Sequence, residues 1–374
     1  MILFITRKYP PSVGGMQNLS HRLTTEVSKQ TEAHVISWGG SQRWLPLFIV
    51  RAFIQALTVL IRGNVTLVHI GDPVLSPLGV MLRVLGRVPV VVNAHGLDVT
   101  YPHPFYQVVI PACLRRLDRV ICISNYTKEE CIHRGVSAEH CVVIPLGVDV
   151  ENYTAALPDN ESQTWAASWG VSLLNRHVLL TVGRLVPRKG IAPFVSRALP
   201  LLLARRQDWV YLIVGDGPER TAIEAAVESQ GLSRYVSLLG HLGDDALRAA
   251  YALADLFVMP NVPTPSDPEG FGLVTLEAQA AGVPIVAADL EGISEAVSDE
   301  EDGTLVKPGE WSEFVKAISA WLDCEETTAD REQRRQRTKA QFAWSRIAAQ
   351  YLEVFRGVEE EHCIRRRMKF AGRD

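Results

Sequence analysis

The chain has 374 residues, of which 47% are apolar and 21% are charged, and this composition indicates a globular protein with two domains of ordinary size. Its formal charge is −4, but residues 1–150 carry 14 Lys or Arg against 9 Asp or Glu, and the remainder carries 24 against 33. The amino terminus enters an apolar strand pattern at once, without the pattern of a secretory signal. The six cysteines form no Cys-x-x-Cys pair, which favours reduced thiols in a cytosolic protein over a disulfide framework or zinc site.

The first half of the chain alternates short apolar runs with helical patterns. Strands are predicted at 2–6, 33–37, 66–70, 89–93, 119–123 and 141–144, and helices at 16–30, 46–62, 76–86, 104–117 and 126–134. Short Val/Ile/Leu runs separated by helices are typical of a parallel, doubly wound α/β sheet. The basic charge of this half is compatible with an anionic partner such as a membrane surface, and equally with chance variation in surface charge.

One apolar stretch, residues 46–61, resembles a membrane segment at first sight. It has 16 residues and is interrupted by Arg51 and Gln55, so we expect it to be too short and too polar to span a bilayer. A buried or interfacial helix fits better, with a membrane-facing role as the lesser alternative.

The second half repeats the same alternation after a polar stretch at 149–175 that we interpret as a linker. Strands are predicted at 178–182, 209–214, 235–239, 255–259, 283–287 and 304–306, with helices between them and a charged helical tail from about 331. The amphipathic period at 344–360 predicts a helix. The basic cluster at 365–370 fits a solvated end better than a membrane or acceptor contact. The predicted domains are therefore 1–155 and 156–343.

Ligands of open parallel sheets gather at the carboxyl ends of the strands, so the loops that follow strands are the candidate sites. In the first half, Gly14 and Gly15 precede a helix, where exposed amides attract phosphate. His95 ends the fourth strand beside a glycine. Each signal is weak alone, because two glycines also make a plain turn and a single histidine is usually structural.

In the second half, Arg184 and Lys189 share one loop and could clamp a diphosphate, although a solvated pair of charges is the simpler alternative. Gly215 and Asp216 begin a Gly-x-Gly-Pro stretch without the third glycine of the dinucleotide fingerprint, so a nicotinamide cofactor is poorly supported.

The most informative stretch is "DPEGFGLVTLEAQAAGVPIV", residues 267–286. If a helix begins near Gly272, Glu277 lies one to two turns inside it and Glu269 lies before it. A carboxylate accepts from two vicinal hydroxyls, so Glu277 suits a ribose and Glu269 a sugar at the other end of one elongated ligand. The helix start between them offers free amides for phosphate.

Together these loops resemble the GT-B glycosyltransferases of family GT4. The stretch "PEGFGLVTLEAQAAGVPIVA" is similar to the family's E-x7-E motif, and "VGRLVPRKG", "VIPLGVDVENY" and "TRKYPPSVGGM" are similar to its other conserved segments. The resemblance covers nearly the whole chain. It implies two Rossmann-like doubly wound domains facing a cleft, with an N-terminal acceptor domain, a C-terminal donor domain, and a terminal helix, about 344–374, that rejoins the first domain.

The resemblance also implies a role for each matching residue. His95, Arg184, Lys189 and Glu269 would be catalytic, by contacting the donor sugar and neutralising the diphosphate. Binding of the donor is expected from Gly14, Gly15, Gly215, Asp216, Phe271, Gly272, Leu273 and Glu277, and no metal site is expected.

The function that follows is a retaining hexosyltransferase that uses a nucleotide-diphosphate sugar and needs neither cofactor nor metal. Its acceptor would be a glycan, a lipid-linked molecule or a small molecule. No nucleic-acid partner is expected, and the location would be cytoplasmic or peripheral on an anionic inner membrane face. Two alternatives remain: a sugar-nucleotide 2-epimerase-like enzyme, or a non-catalytic nucleotide-sugar binding subunit.

Overall fold

A computed structural model describes residues 1–12, 14–153, 157–264, 267–297 and 302–371. The chain divides into two compact units: residues 1–147 together with 344–374, called unit 1, and residues 148–343, called unit 2. The predicted domain boundary between residues 155 and 156 lies outside the described residues.

Unit 1 is built on a six-stranded parallel sheet with strand order β2-β1-β3-β4-β5-β6. Its strands are β1 (Ile2–Thr6), β2 (Ala33–Ser37), β3 (Leu67–Ile70), β4 (Val90–Ala94), β5 (Arg119–Cys122) and β6 (Cys141–Val143). Its helices are α1 (Gly15–Ser28), α2 (Leu45–Arg62), α3 (Ser76–Gly86), α4 (Leu97–Thr100), α5 (Pro104–Leu114), α6 (Asn125–His133) and the C-terminal α16 (Trp344–Ala371).

Unit 2 contains a second parallel sheet, with strand order β12-β11-β10-β7-β8-β9. Its strands are β7 (His177–Val182), β8 (Trp209–Val214), β9 (Val236–Gly240), β10 (Leu256–Met259), β11 (Ile285–Ala288) and β12 (Gly303–Val306). Its helices are α7 (Asp159–Ser168), α8 (Ile191–Arg197), α9 (Leu199–Leu203), α10 (Arg220–Ser229), α11 (Asp244–Leu253), α12 (Leu273–Ala280), α13 (Ile293–Ala296), α14 (Trp311–Asp323) and α15 (Thr328–Phe342).

Both sheets are covered by helices on both faces, as parallel sheets require. In unit 1, one core cluster joins one sheet face to α2, α3, α5 and α6, and a second joins the other face to α1 and α16. The expectation of two doubly wound parallel sheets is confirmed. The polar stretch at 149–175 is more structured than a linker, because it contains a 3-10 turn at Val150–Asn152 and the helix α7.

The helix that contains the apolar stretch 46–61 is longer than the 16 residues that we judged too short to span a bilayer. Helix α2 has 18 residues, and among the described residues it is the one helix long and apolar enough to cross a membrane by length and composition. Only 17% of it is buried, so one side of α2 packs on the core and most of the helix faces away from it. In the basic cluster at 365–370, the side chains at 365–368 are exposed, and the solvated end stays a prediction.

Candidate active site

The loop after β7 places Lys189 in the interior of unit 2. A 3-10 turn at Pro187–Lys189 ends at Gly190, whose φ is 63°. A Cβ atom on Gly190 would lie 2.1 Å from the carbonyl oxygen of Pro260, which follows β10. Only glycine allows this backbone approach. The turn is therefore pressed against the next loop, and the Lys189 side chain is 7% exposed.

Glu269 is the centre of the polar contacts in this region. Its Oε2 atom accepts hydrogen bonds from Lys189 Nζ at 2.6 Å, Arg188 Nε at 3.2 Å and Asn261 Nδ2 at 3.2 Å. Arg188 also pairs with Asp267. Burial alone would raise the pKa of Glu269, but the nearby Lys189 and Arg188 cations outweigh burial and hold its pKa below the usual value. The carboxylate is therefore ionised at neutral pH.

Two acceptor atoms at this cluster have no partner among the described residues. They are Oε1 of Glu269 and the buried Oδ1 of Asn261. Buried polar atoms normally have hydrogen-bond partners, so unmet acceptors beside a charged cluster are suited to the hydroxyl groups of a ligand.

The two predicted cations differ in their environment. Lys189 is buried against Glu269, whereas Arg184 is exposed and makes no side-chain hydrogen bond or ion pair with the residues that the structure describes. The second cation on Glu269 is Arg188, which the sequence analysis did not select. The predicted role of Arg184 at a diphosphate stays a prediction.

The start of α12 provides amide donors near Glu269. Gly272 caps the helix with φ 77°, and the amides of Phe271, Gly272 and Leu273 donate to no residue within the described ranges. Free amides at a helix start carry the positive end of the helix dipole, so this terminus can hold a phosphate or another anion.

Glu277 lies in the second turn of α12, as predicted from the spacing. Its Oε2 atom accepts from the hydroxyl of Tyr251, on α11, at 2.7 Å, and the hydroxyl of Tyr153 lies near the same carboxylate. Burial raises the pKa of Glu277, and the two tyrosine hydroxyls oppose this shift only in part. Glu277 is therefore a buried carboxylate with tyrosine hydroxyls around it, and not an exposed surface residue of the helix.

Gly215 and Asp216 follow β8 and meet the loop after β7. A Cβ on Gly215 would lie 1.9 Å from the carbonyl oxygen of Gly183, so Gly215 is needed for packing between these loops. Asp216 is exposed, and its Oδ1 accepts from the amide of Gly217 at 2.8 Å. Their predicted contact with the donor stays a prediction.

Glu291, in the loop after β11, supports the Glu269 segment from the other side. Its carboxylate accepts from the backbone amide of Glu269, and its own φ is 54°, in the left-handed region that non-glycine residues rarely occupy. Burial raises the pKa of Glu291, with the backbone hydrogen bond opposing the shift.

In unit 1, His95 is fixed at the end of β4 by a carboxylate. Asp98 accepts from the His95 backbone amide through Oδ1 and contacts its ring Nδ1 through Oδ2, both at 2.8 Å. The other ring nitrogen, Nε2, has no hydrogen bond to the residues described. An imidazole held at Nδ1 in this way presents Nε2 in a defined orientation.

The carboxyl ends of β1 and β3 carry an ion pair that the sequence analysis did not predict, and the candidates Gly14 and Gly15 lie at the start of α1. Asp72 is fully buried and pairs with Arg7, whose Nε lies 2.9 Å from Asp72 Oδ1. Burial raises the pKa of Asp72, and the Arg7 cation opposes this. Gly14 caps α1 and Gly15 begins it, and both are exposed.

Several residues of these sites escaped the sequence analysis. Arg188 adjoins Lys189 and Asp98 stands in the same loop as His95, so proximity was an available signal. Tyr251, Asn261 and Glu291 come from other elements and carried no local signal. Among the residues that the structure describes, no group of three or more His, Cys, Asp or Glu could hold a metal ion.

The fold and the loops at its strand ends define a GT-B protein. The structure of Anabaena Alr3699/HepE, solved in complex with UDP and glucose, matches 95% of this chain and 99% of its own with a TM-score of 0.74 at 22% identity. Two family models also match: Glycosyltransferase Family 4 at residues 13–152 and Glycosyl transferases group 1 at residues 170–341.

Two curated relatives are similar over most of the chain. D-inositol 3-phosphate glycosyltransferase 2 of Catenulispora acidiphila is 31% identical over 311 residues, 79% of this chain and 69% of the relative. The GDP-mannose-dependent alpha-(1-6)-phosphatidylinositol monomannoside mannosyltransferase of Mycobacterium tuberculosis (strain CDC 1551 / Oshkosh) is 28% identical over 388 residues, 95% of this chain and 98% of that protein. The chain belongs to the group 1 glycosyl transferases, in glycosyltransferase family 4, and the predicted family is confirmed.

Proposed function

We propose that this glycosyltransferase is a retaining, metal-independent hexosyltransferase. It transfers a hexosyl unit from a nucleotide-diphosphate sugar to a hydroxyl group of a glycan, lipid-linked or small-molecule acceptor. The observation that carries the proposal is the cluster around Glu269, where Lys189 and Arg188 meet a carboxylate beside the free amides of α12.

Charge explains how this cluster would act on a diphosphate. Departure of a nucleoside diphosphate builds negative charge on its β-phosphate oxygens, and fixed positive groups lower the barrier by stabilising that charge. Lys189, the exposed Arg184 and the amides of Phe271, Gly272 and Leu273 supply such groups without a divalent ion. Oε1 of Glu269, which has no partner among the described residues, would accept from a sugar hydroxyl.

We propose retention of configuration because no residue of this cluster is suited to attack the sugar as a nucleophile, so the leaving phosphate of the donor would act as the base. Glu269 is ionised and tied to two cations, which suits it to orient a sugar and not to attack it. We therefore propose that the acceptor attacks on the face from which the diphosphate departs and that the leaving phosphate takes the acceptor proton. His95, held by Asp98 in unit 1, would present Nε2 to the donor sugar.

The names of the relatives suggest which donor and acceptor to test first. The mycobacterial relative is described as GDP-mannose-dependent and acts on a phosphatidylinositol monomannoside, and the Catenulispora relative is a D-inositol 3-phosphate glycosyltransferase. We propose a mannosyl or glucosyl donor and a lipid-linked acceptor. We also propose a cytoplasmic location, with peripheral contact at the inner face of an anionic membrane.

The deciding experiment measures donor binding before turnover. UDP-, GDP- and ADP-sugars are screened for an increase in Tm, because a ligand that binds the folded state stabilises it. With the donor that stabilises the protein, transfer is then measured for the wild type before and after chelation of divalent ions. The same assay is run on Lys189→Ala, Arg184→Ala and Glu277→Ala. We expect the product to keep the anomeric configuration of the donor sugar, and transfer to survive chelation.

Matched controls keep the result specific. Lys307→Ala and Arg197→Ala replace exposed residues of the same types in unit 2, and both should transfer at the wild-type rate. Unchanged turnover in all three site variants would refute the assignment. Conversion of the donor without an acceptor would favour an epimerase-like enzyme, and tight binding without product a non-catalytic subunit.

A further inference from the structure

Helix α2 exposes an apolar face to solvent as well as burying one. Phe48, Ala52 and Ala56 are buried against the core of unit 1, four residues apart. The outer side, where a surface helix normally carries polar residues, presents Leu47, Val50, Ile54 and Ile61, the last 83% exposed. Trp44, just before the helix, is also exposed.

The neighbouring helices extend this face. Helix α2 contacts α3, and α3 contacts α5, on the same side of the sheet. Helix α3 exposes Met81, Val84 and Leu85, and α5 exposes Phe105 and Val108. We call the outer sides of α2, α3 and α5 the apolar face of unit 1. Contiguous exposed apolar surface of this kind marks an interaction site on a soluble protein.

The chain segment that carries the apolar face is rich in arginine and poor in acidic residues. Between residues 33 and 117 the sequence has seven Arg, no Lys or Glu, and two Asp, at positions 72 and 98. Both aspartates are buried, so neither contributes a free negative charge at the surface. Arg43, Arg51, Arg62 and Arg87 are exposed and make no ion pair with the described residues.

This combination fits a lipid surface better than a crossing of the bilayer. A helix that buries Phe48, Ala52 and Ala56 in the core of a domain cannot leave it to span a membrane. A helix lying in the interface, by contrast, uses apolar residues on one side and basic residues that reach the headgroups. Trp44 is a tryptophan, a residue type that is enriched at the membrane–water interface.

We propose that the apolar face of unit 1 docks on an anionic lipid membrane, with α2 parallel to the surface and Arg43, Arg51 and Arg62 on lipid phosphates. The proposal rests on the proposed function, which includes peripheral contact with an anionic membrane, and it assigns that contact to named residues. Docking and sugar transfer can fail separately, because docking needs no donor and donor binding needs no lipid.

The first test is co-sedimentation with phosphatidylcholine vesicles with and without phosphatidylglycerol, at low ionic strength. We expect binding that requires phosphatidylglycerol and weakens as salt is added. Each basic residue near an anionic surface contributes about 1 kcal/mol, or roughly fivefold in binding. Arg51→Gln with Arg62→Gln should therefore weaken binding about 25-fold, and Leu47→Ser with Ile54→Ser by about tenfold or more.

The control variant carries the same change elsewhere. Leu174→Ser with Leu201→Ser removes two exposed leucines from unit 2 and should sediment like the wild type. Every variant should keep the wild-type Tm and the same stabilisation by the donor nucleotide. Lys189→Ala, in turn, should lose transfer and still bind vesicles, which separates a failure of docking from a failure of catalysis.

The depth of docking can be measured at Trp44. Lipids brominated in the acyl chains should quench part of the tryptophan fluorescence, and Trp44→Phe should lose that part. Absence of sedimentation at low ionic strength would overturn the proposal, as would equal loss in the Leu174/Leu201 control. A dimer in sedimentation equilibrium that Leu47→Ser with Ile54→Ser dissociates would assign the face to a second copy instead. Resistance to alkaline extraction from membranes would indicate a spanning helix.

Discussion

Lys189 Nζ lies 2.6 Å from Glu269 Oε2, although 80 residues separate the two in sequence. Lys189 ends the turn after β7 and Glu269 precedes α12, so their contact joins two loops at the carboxyl edge of one sheet. Both side chains are largely buried, which makes the pair a structural element as well as a candidate catalytic one.

Replacing Lys189 separates these two roles. Lys189→Met leaves the Glu269 carboxylate with fewer cations, and we expect the free energy of unfolding to fall by about 3 kcal/mol. Adding Glu269→Gln should recover most of that loss, because the uncompensated charge is gone. Transfer should stay at least about 100-fold below wild type in both variants. Urea unfolding and initial rates measure the two effects, and recovery of transfer by the double variant would contradict the assignment.

Replacing Arg184 should affect mainly catalysis, whereas replacing Arg188 should also affect stability. Arg184→Ala removes an exposed side chain, so the free energy of unfolding should change by less than about 0.5 kcal/mol while kcat falls. Arg188→Ala breaks contacts with Asp267 and Glu269 and should cost about 2 kcal/mol of stability. Arg197→Ala is the control for both. Equal loss of stability in the Arg184 and Arg188 variants would show that the turn at Pro187–Lys189 is arranged differently.

The buried Glu277 carboxyl should lower the free energy of unfolding near neutral pH, relative to a neutral side chain at the same position. Its folded-state pKa is raised, mainly by burial, so the folded protein binds this proton at a higher pH than the unfolded chain does. Its contribution is therefore most favourable at low pH and is lost as pH rises through the raised pKa. Glu277→Gln should unfold at higher urea than wild type at pH 7, with the gap closing as pH falls, and should bind donor more weakly. Calorimetry with the donor nucleotide measures the affinity, and a less stable variant at pH 7 would refute the argument.

His69 should make unit 1 sensitive to acid. It is buried beside the rings of Phe4 and Phe355, and burial lowers its pKa from 6.5 to about 4 despite a hydrogen bond with Asn93. The unfolded chain takes up this proton first, so stability falls as pH drops from about 6.5 to about 4, by about 3 kcal/mol in total. His69→Gln should remove this pH dependence, whereas His103→Gln, at an exposed position, should keep it. Identical pH profiles for wild type and His69→Gln would exclude the histidine as the cause.

The fold was readable from the sequence because parallel strands are buried on both faces and appear as continuous apolar runs. The twelve strands found in the described part of the chain were all predicted within a few residues of their observed bounds. Helix α4 was missed because its four residues are too few for a helical period. Helix α7 was read as a linker because its polar composition shows only a weak apolar period.

The candidate site was readable only where residues are neighbours in sequence. Once a helix start near Gly272 was assumed, helix geometry placed Glu277 inside α12 and Glu269 before it, and the observed start at Leu273 agrees with that assumption. Whether Arg184 or Arg188 contacts Glu269 depends on the 3-10 turn at Pro187–Lys189, and the sequence positions of the basic residues alone do not specify that turn. Tyr251 reaches Glu277 from α11, and such a contact is set by packing between elements.

Unit 1 combines residues 1–147 with α16, and the amide of Val148 donates to the carbonyl of Phe342 at 2.8 Å, so both ends of unit 2 meet. Ile347, Tyr351 and Phe355 of α16 are buried in the core of unit 1. Because α16 follows unit 2 in the sequence, all of unit 2 is synthesised before unit 1 receives this core helix. A nascent chain that carries residues 1–343 and then a linker long enough to fill the ribosomal exit tunnel should protect unit 2 from protease while unit 1 is still cleaved. A premature stop codon just before α16 should likewise destabilise unit 1, although residues 1–147 are all present.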